Sequence, residues 1–161
     1  MNQMNLTDLE YSRRKKKTRR EKFLDTMDEI IPWSHWTEVI RPYYFHNTRG
    51  RRPRGIETML RMYLLKVWFK LSDAGIEDSI YDSYAMRSFM HIDFNDQQVP
   101  GATTLIKFRK MLEKSKIDEM ISADINKRLG EAGFTMHCGA LIDASLVSLP
   151  GSAKRQEKHL N

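Results

Sequence analysis

Cysteine is nearly absent. Cys138 stands alone in the 161 residues, so no internal disulfide can form, which fits a reducing compartment. His137 beside it does not suggest zinc, because no further ligands stand at zinc spacing and the histidines (His35, His46, His91, His137, His159) are scattered. No apolar run is long enough to cross a bilayer, and no apolar stretch follows the N-terminal charges. Neither a membrane span, a membrane partner nor a signal peptide is therefore expected, and a cytoplasmic location is. Catalytic arrangements are missing too: there is no Ser/His/Asp set and no phosphate-cradling glycine loop. Strand-like sequence is confined to one stretch near the C-terminus.

What is plentiful is positive charge. Lysine and arginine number 27 against 21 acids, giving +6 and a pI near 9.5. That balance favours an anionic partner, of which nucleic acid is the commonest. The length fits one domain with a short extra piece, and 40% hydrophobic residues suffice for its core.

The core is organised around Ile56 to Leu71, IETMLRMYLLKVWFKL. It lacks Gly and Pro and is rich in Leu and Met, which favour helix. Met59, Met62 and Leu65 cover one side; Leu60, Leu64, Trp68 and Leu71 cover the next. So wide an apolar surface predicts a helix packed on several faces. Before it, apolar spacing predicts a helix from Thr18 to Ile31. A shorter one follows, capped by Ser34 and closed by Pro42, with Trp33 stapling its start. After it, Ser72 or Asp73 caps a helix carrying Ile76, Ile80 and Tyr84, and Ala85 to Met90 forms another. His91 to Gly101 reads as a loop. Thr103-Thr104 opens a further helix with Leu105, Phe108 and Leu112 inward and Thr104, Lys107, Lys110 and Lys114 outward. Ile117 to Ala132 makes the last, with Ile117, Met120, Ile121, Ile125 and Leu129 inward and Gly133 as its C-terminal cap. Residues 138 to 147 read as a strand, or two short ones, without a partner.

Three basic elements stand out. Ser12 to Lys22 carries eight basic residues and one acid, and its mutual repulsion predicts a mobile arm. It is either a solubilising arm or a phosphate-binding one through Arg13, Arg14, Lys15, Lys16, Lys17, Arg19 and Arg20; the second reading is preferred. Arg49, Arg51, Arg52 and Arg54 occupy a loop bracketed by Gly50 and Gly55 and suit phosphate or minor-groove contacts. Substituting Arg51 and Arg52 together should weaken all DNA binding. The Thr/Lys face of the helix after Gly101 places Thr103, Thr104, Lys107 and Lys110 where a helix-turn-helix would read bases. Tyr43, Tyr44 and Phe45, beside the arginine loop, could stack on bases or pack on the core; packing is preferred.

RGRRP, ETMLRMYLLKVWFKLSD, EDSIYDSYAMRSFM, TTLIKFRKMLE and GALIDASLV follow one another in this order. Together they resemble the N-terminal part of bacterial insertion-sequence transposases of the IS-five type, within the DDE group. The similarity runs from Phe23 to Leu149. It implies a mainly α fold: a multi-helix DNA-binding domain with a helix-turn-helix-like element, then one or two short β-strands from an incomplete ribonuclease H-like domain. The division it suggests is a basic arm (1–22), the helical domain (23–133), the start of a catalytic domain (134–149) and a disordered tail (150–161). The implied partner is double-stranded DNA at the element's terminal inverted repeats.

In that family the first catalytic aspartate lies on the first strand, in a motif matched by Leu141-Ile142-Asp143-Ala144. Asp143 would bind Mg²⁺ in a two-metal site. One carboxylate cannot hold such a pair, so the chain alone is expected to be inactive and to need no cofactor; Mg²⁺ is implied only for the complete transposase. Taken without the resemblance, Asp143 reads as a turn residue. Gly101 departs from the acidic or polar cap common among related sequences. The expectation is an end-binding module able to compete with full-length transposase. The alternatives are the upstream half of a split enzyme, completed by a downstream-frame product, and an inert remnant.

Overall fold

Helix α4, Ile56–Trp68, is the element on which the others pack. The computed structural model describes residues 6–44, 50, 52–138 and 144–148. Within α4, Met59, Leu60, Met62, Leu64, Leu65 and Trp68 are all buried. The helix ends three residues before the expected Leu71. Lys70 turns into the left-handed region (φ 50). Its N–H reaches the Val67 carbonyl (3.4 Å), and that of Leu71 reaches Lys66 (3.1 Å). These two bonds satisfy carbonyls that a helix end otherwise leaves open.

Seven further helices surround it among the described residues: α1 (Leu6–Ser12), α2 (Arg19–Ile30), α3 (Trp33–Tyr44), α5 (Asp73–Asp82), α6 (Tyr84–Met90), α7 (Ala102–Ser115) and α8 (Ile117–Glu131). Helices α3, α5, α6 and α7 touch α4 directly, while α8 packs on α7 and α2. Pro42 lies inside α3 instead of closing it. It falls in the last turn, where a missing N–H removes a single helix bond, and Tyr43 and Tyr44 continue the spiral. Trp33 is likewise the first residue of α3, not the one before its cap. Ser83 ends α5 and caps α6 by accepting from the Met86 N–H, which assigns Tyr84 to α6.

Buried polar contacts fix the packing. Arg61 of α4 is only 3% exposed. Its guanidinium meets Asp28 of α2 at 2.8 Å and Glu57 at 2.8 Å. It also donates to the Phe89 carbonyl at 2.8 Å and lies 3.9 Å from the centre of the Trp33 ring. Trp36 donates its indole N–H to Asp124 (3.0 Å), joining α3 to α8. In α8 the inward ridge is Ile117, Ile121, Ile125 and Leu129; Met120, expected inward, is 37% exposed, one step off that ridge of fours.

Gly133, at φ 84, turns the chain out of α8 as expected of a terminal glycine. Beyond it the expected strand without a partner is replaced by a hairpin. Phe134–Cys138 forms β1 and pairs antiparallel with β2, Ala144–Ser148, placing Phe134 opposite Ser148 and Met136 opposite Leu146. Strand β1 rests on α8 and β2 on α2.

Gly101 is the N-cap of α7; it has extended backbone and supplies no side-chain cap, and a Cβ there would meet nothing within 4 Å. Gly101→Ser is therefore expected to stabilise the fold, by about 0.5 kcal/mol. A circular-dichroism melt should show Tm rising by roughly 1–2 °C. A lower Tm would mean that the start of α7 does not limit stability.

Candidate nucleic-acid interface

The described part of the arginine loop is tied down by two hydrogen bonds. The Tyr44 hydroxyl donates to the Arg54 carbonyl (2.8 Å), and Arg54 Nη1 donates to the Gln98 carbonyl (3.1 Å). Burial pushes the Tyr44 phenol above its ordinary pKa, and nearby Arg54 offsets this in part, so the hydroxyl stays a donor at neutral pH. The Tyr44 ring meets Phe108 edge-on at 5.7 Å between centroids. Segment 52–55 is thereby stitched to α3, to α7 and to the chain ahead of Gly101.

Periodicity places the α7 side chains as expected. Leu105, Phe108 and Leu112 are buried, whereas Thr103, Thr104, Lys107 and Lys110 are exposed. Helix α7 packs on α3, α4, α5 and α8; α6, the helix before it in sequence, packs on α2, α4 and α5.

Between the loop and the first turns of α7 lies a groove of about 530 Å³. Arg52, Arg54, Thr104 and Lys107 line it together, and none of its lining residues is acidic. Arg52 and Lys107 are exposed and form no ion pair among the described residues. The uncapped N-terminus of α7 adds the positive end of a helix dipole on the same side. The groove thus unites two of the three basic elements, although some fifty residues of sequence, roughly a third of the chain, separate them. Its remaining lining includes Tyr43, Tyr44, Pro53, Phe108 and Met111. Of the three aromatics ahead of the loop, Tyr44 packs as expected, Tyr43 is 49% exposed at the groove, and Phe45 lies outside the described residues. Apolar patterning read Phe108 as core and left Met111 unassigned, so neither was singled out for the groove.

The N-terminal arm is built differently from the expected mobile segment. Residues 6–12 are helical, and Arg19–Lys22 belong to α2. Thr18 and Glu21 cap α2 reciprocally. Arg14 forms a bidentate pair with Glu21 and lies 4.5 Å from the centre of the Tyr11 ring, which stacks on Tyr84. Lys17 pairs with Asp25 (2.7 Å), and Arg20 lies over Phe69. Arg13, Lys15, Lys16, Arg19 and Lys22 are exposed without an ion pair among the described residues. The two clefts beside the arm mix charges: one carries Asp8, Glu21, Asp25 and Asp28 among its cations, the other Glu21.

Hydrogen bonding by Arg14 holds the Glu21 carboxyl below its ordinary pKa, aided by the Thr18 N–H. A carboxyl with a lowered folded pKa stabilises above its unfolded value, and the effect is lost as pH falls through the folded one. The arm is therefore expected to undock on acidification below the ordinary glutamate range. Tyr11, placed against Tyr84, reports this by fluorescence. Glu21→Gln should remove the acid transition while leaving the arm loosened at neutral pH. An unaltered acid transition in that variant would assign it to other carboxylates.

Arg49, Arg51 and Asp143 lie outside the described residues, as does the expected tail from residue 150. No group of three or more His, Cys, Asp or Glu side chains among the described residues could hold a metal ion, so no donor set for Mg²⁺ is found there. No helix among them is long and apolar enough to cross a membrane.

A family model described as Transposase domain (DUF772) matches residues 12–111. The chain belongs to this transposase domain family. The matched span of the transposase domain takes in the arm, the arginine loop, α4 and most of α7. It begins earlier than the resemblance read from the sequence and stops before α8 and the hairpin. No solved structure matches the chain. Membership ties the protein to DNA transposition.

Proposed function

We propose that this transposase domain binds double-stranded DNA at the terminal inverted repeats of an insertion sequence. In this reading Arg52, Arg54, the groove-lining Lys107 and the arm's exposed cations contact phosphates, while α7 presents Thr103, Thr104 and Lys110 to base edges. The carrying observation is the acid-free groove that joins the arginine loop to the start of α7. Phosphate contacts fix register and orientation; contacts from the first turns of a helix in the major groove select sequence. The 14 residues of α7 amount to about 21 Å of helix, whose width suits a major groove about 12 Å across. In place of a tight helix-turn-helix, the recognition helix would be braced from behind by α3, α4 and α5. The IS-five type and DDE group remain the specific family assignment we favour, with the hairpin as the leading edge of a ribonuclease H-like sheet.

Anisotropy titrations against the terminal repeats and a scrambled duplex, at several salt concentrations, test the reading. The three groove cations alone predict a slope of log K against log salt of roughly −2.7, and each arm cation that engages a phosphate adds about −0.9. Tighter binding to the repeats is expected. Equal affinity for scrambled DNA would exclude end recognition, and a slope near zero would exclude phosphate contacts altogether.

A further inference from the structure

We infer that the groove beside α7 also seats an unpaired nucleotide of a DNA strand, its base stacked on Tyr43 and its phosphate held by Arg52 and Lys107. The inference rests on the DNA-binding reading above and deepens it. A surface that only tracks duplex phosphates needs exposed cations and nothing concave. Here the cations rim a hollow of about 530 Å³, within the roughly 300–1,000 Å³ typical of small-ligand sites. Its floor is apolar: Phe108 is 2% exposed, and Met111 is partly buried against the same core. Tyr43 is the one lining aromatic that stands clear, at 49% exposed. Its neighbour Tyr44 is occupied, with its hydroxyl on the Arg54 carbonyl and its ring on Phe108. An exposed ring beside an apolar floor, with cations at the rim and no carboxylate in the lining, is the chemistry that holds single-stranded nucleic acid. Every base offers a π-face, so such a seat takes a frayed or extruded nucleotide with little regard to its identity. A paired base, stacked within the duplex, cannot enter.

The test compares the full chain on two DNAs: a blunt duplex and the same duplex with a short oligo-thymidine 3′ overhang. Anisotropy should show the overhang bound about tenfold more tightly, in line with one stacked base. Tyr43→Phe, which keeps the ring, should retain this gain. Tyr43→Ala should lose it while binding the blunt duplex as before; the side chain is exposed, so folding is not at stake. Equal affinity for both DNAs, with both still weakened by salt, would overturn the nucleotide seat and leave duplex binding intact. A gain that survives Tyr43→Ala would overturn it as well. Failure to bind either DNA at low salt would remove both readings together.

Discussion

Replacing Arg61 with alanine should lower Tm by on the order of 10 °C. Three terms combine. The side chain is 3% exposed, so truncation leaves a cavity at the junction of α2, α3, α4 and α6. The Phe89 carbonyl loses its charged donor, at a cost of roughly 1–3 kcal/mol. The contact of the guanidinium with Trp33, sheltered from water, adds about 2 kcal/mol. The ion pairs themselves contribute less. Asp28 and Glu57 are 34% and 47% exposed on their side chains, so water can take over once the cation is gone. A total loss of about 3–5 kcal/mol is the reasonable range.

Two companion variants separate these terms. Arg61→Lys keeps the charge but lacks the planar fork that serves Asp28, Glu57 and Phe89 at once and sits over the Trp33 ring, so it should recover less than half of the loss. Arg61→Met fills the space and leaves the carbonyl unpaired. Should Met rescue and Lys fail, packing dominates; should Lys rescue and Met fail, charge does. A melt of Arg61→Ala indistinguishable from wild type would show that the four helices do not depend on this contact.

The sequence made some of this visible and hid the rest for definable reasons. Helix α4 could be read because its apolar positions recur at helical spacing on several sides. Helix α7 could be read because Leu105, Phe108 and Leu112 alternate cleanly with an outer Thr/Lys face. Arg61 could not. Within IETMLRMYLLKVWFKL it is one charge among several, and its burial depends on Asp28, Trp33 and Phe89, which lie on other elements. The same holds for Arg14. A run of like charges suggests repulsion, yet Glu21, the single acid in that run, sits where Thr18 caps α2 and draws Arg14 in. The hairpin was half visible: β2 falls almost wholly within the stretch 138–147 read as strand, whereas β1 lies ahead of it apart from Cys138, in residues that showed no pattern of their own after the Gly133 cap. The arginine loop and α7 each announced a cationic surface. That they share one groove emerged only from the hydrogen bond of Tyr44 to Arg54 and its ring contact with Phe108.

That shared groove yields the second large effect. Arg52→Ala combined with Lys107→Ala should weaken duplex binding by one to two orders of magnitude at moderate salt. The salt slope should become shallower by about 1.8, the share of two phosphate contacts. Arg54 is a poorer choice, because its guanidinium also holds the Gln98 carbonyl and its loss would loosen the loop as well as remove a charge. Arg52 and Lys107 are exposed and carry no ion pair among the described residues, so the folded state should change by no more than about 0.5 kcal/mol. Arg14→Ala provides the contrast. It removes the same charge, but one already neutralised by Glu21, so the arm should loosen while the slope stays close to that of wild type. A double variant with an unchanged slope would shift the phosphate contacts to Arg13, Lys15, Lys16, Arg19 and Lys22, the exposed cations of the arm that lack an ion pair among the described residues. The groove would then have to act, if at all, through α7 alone.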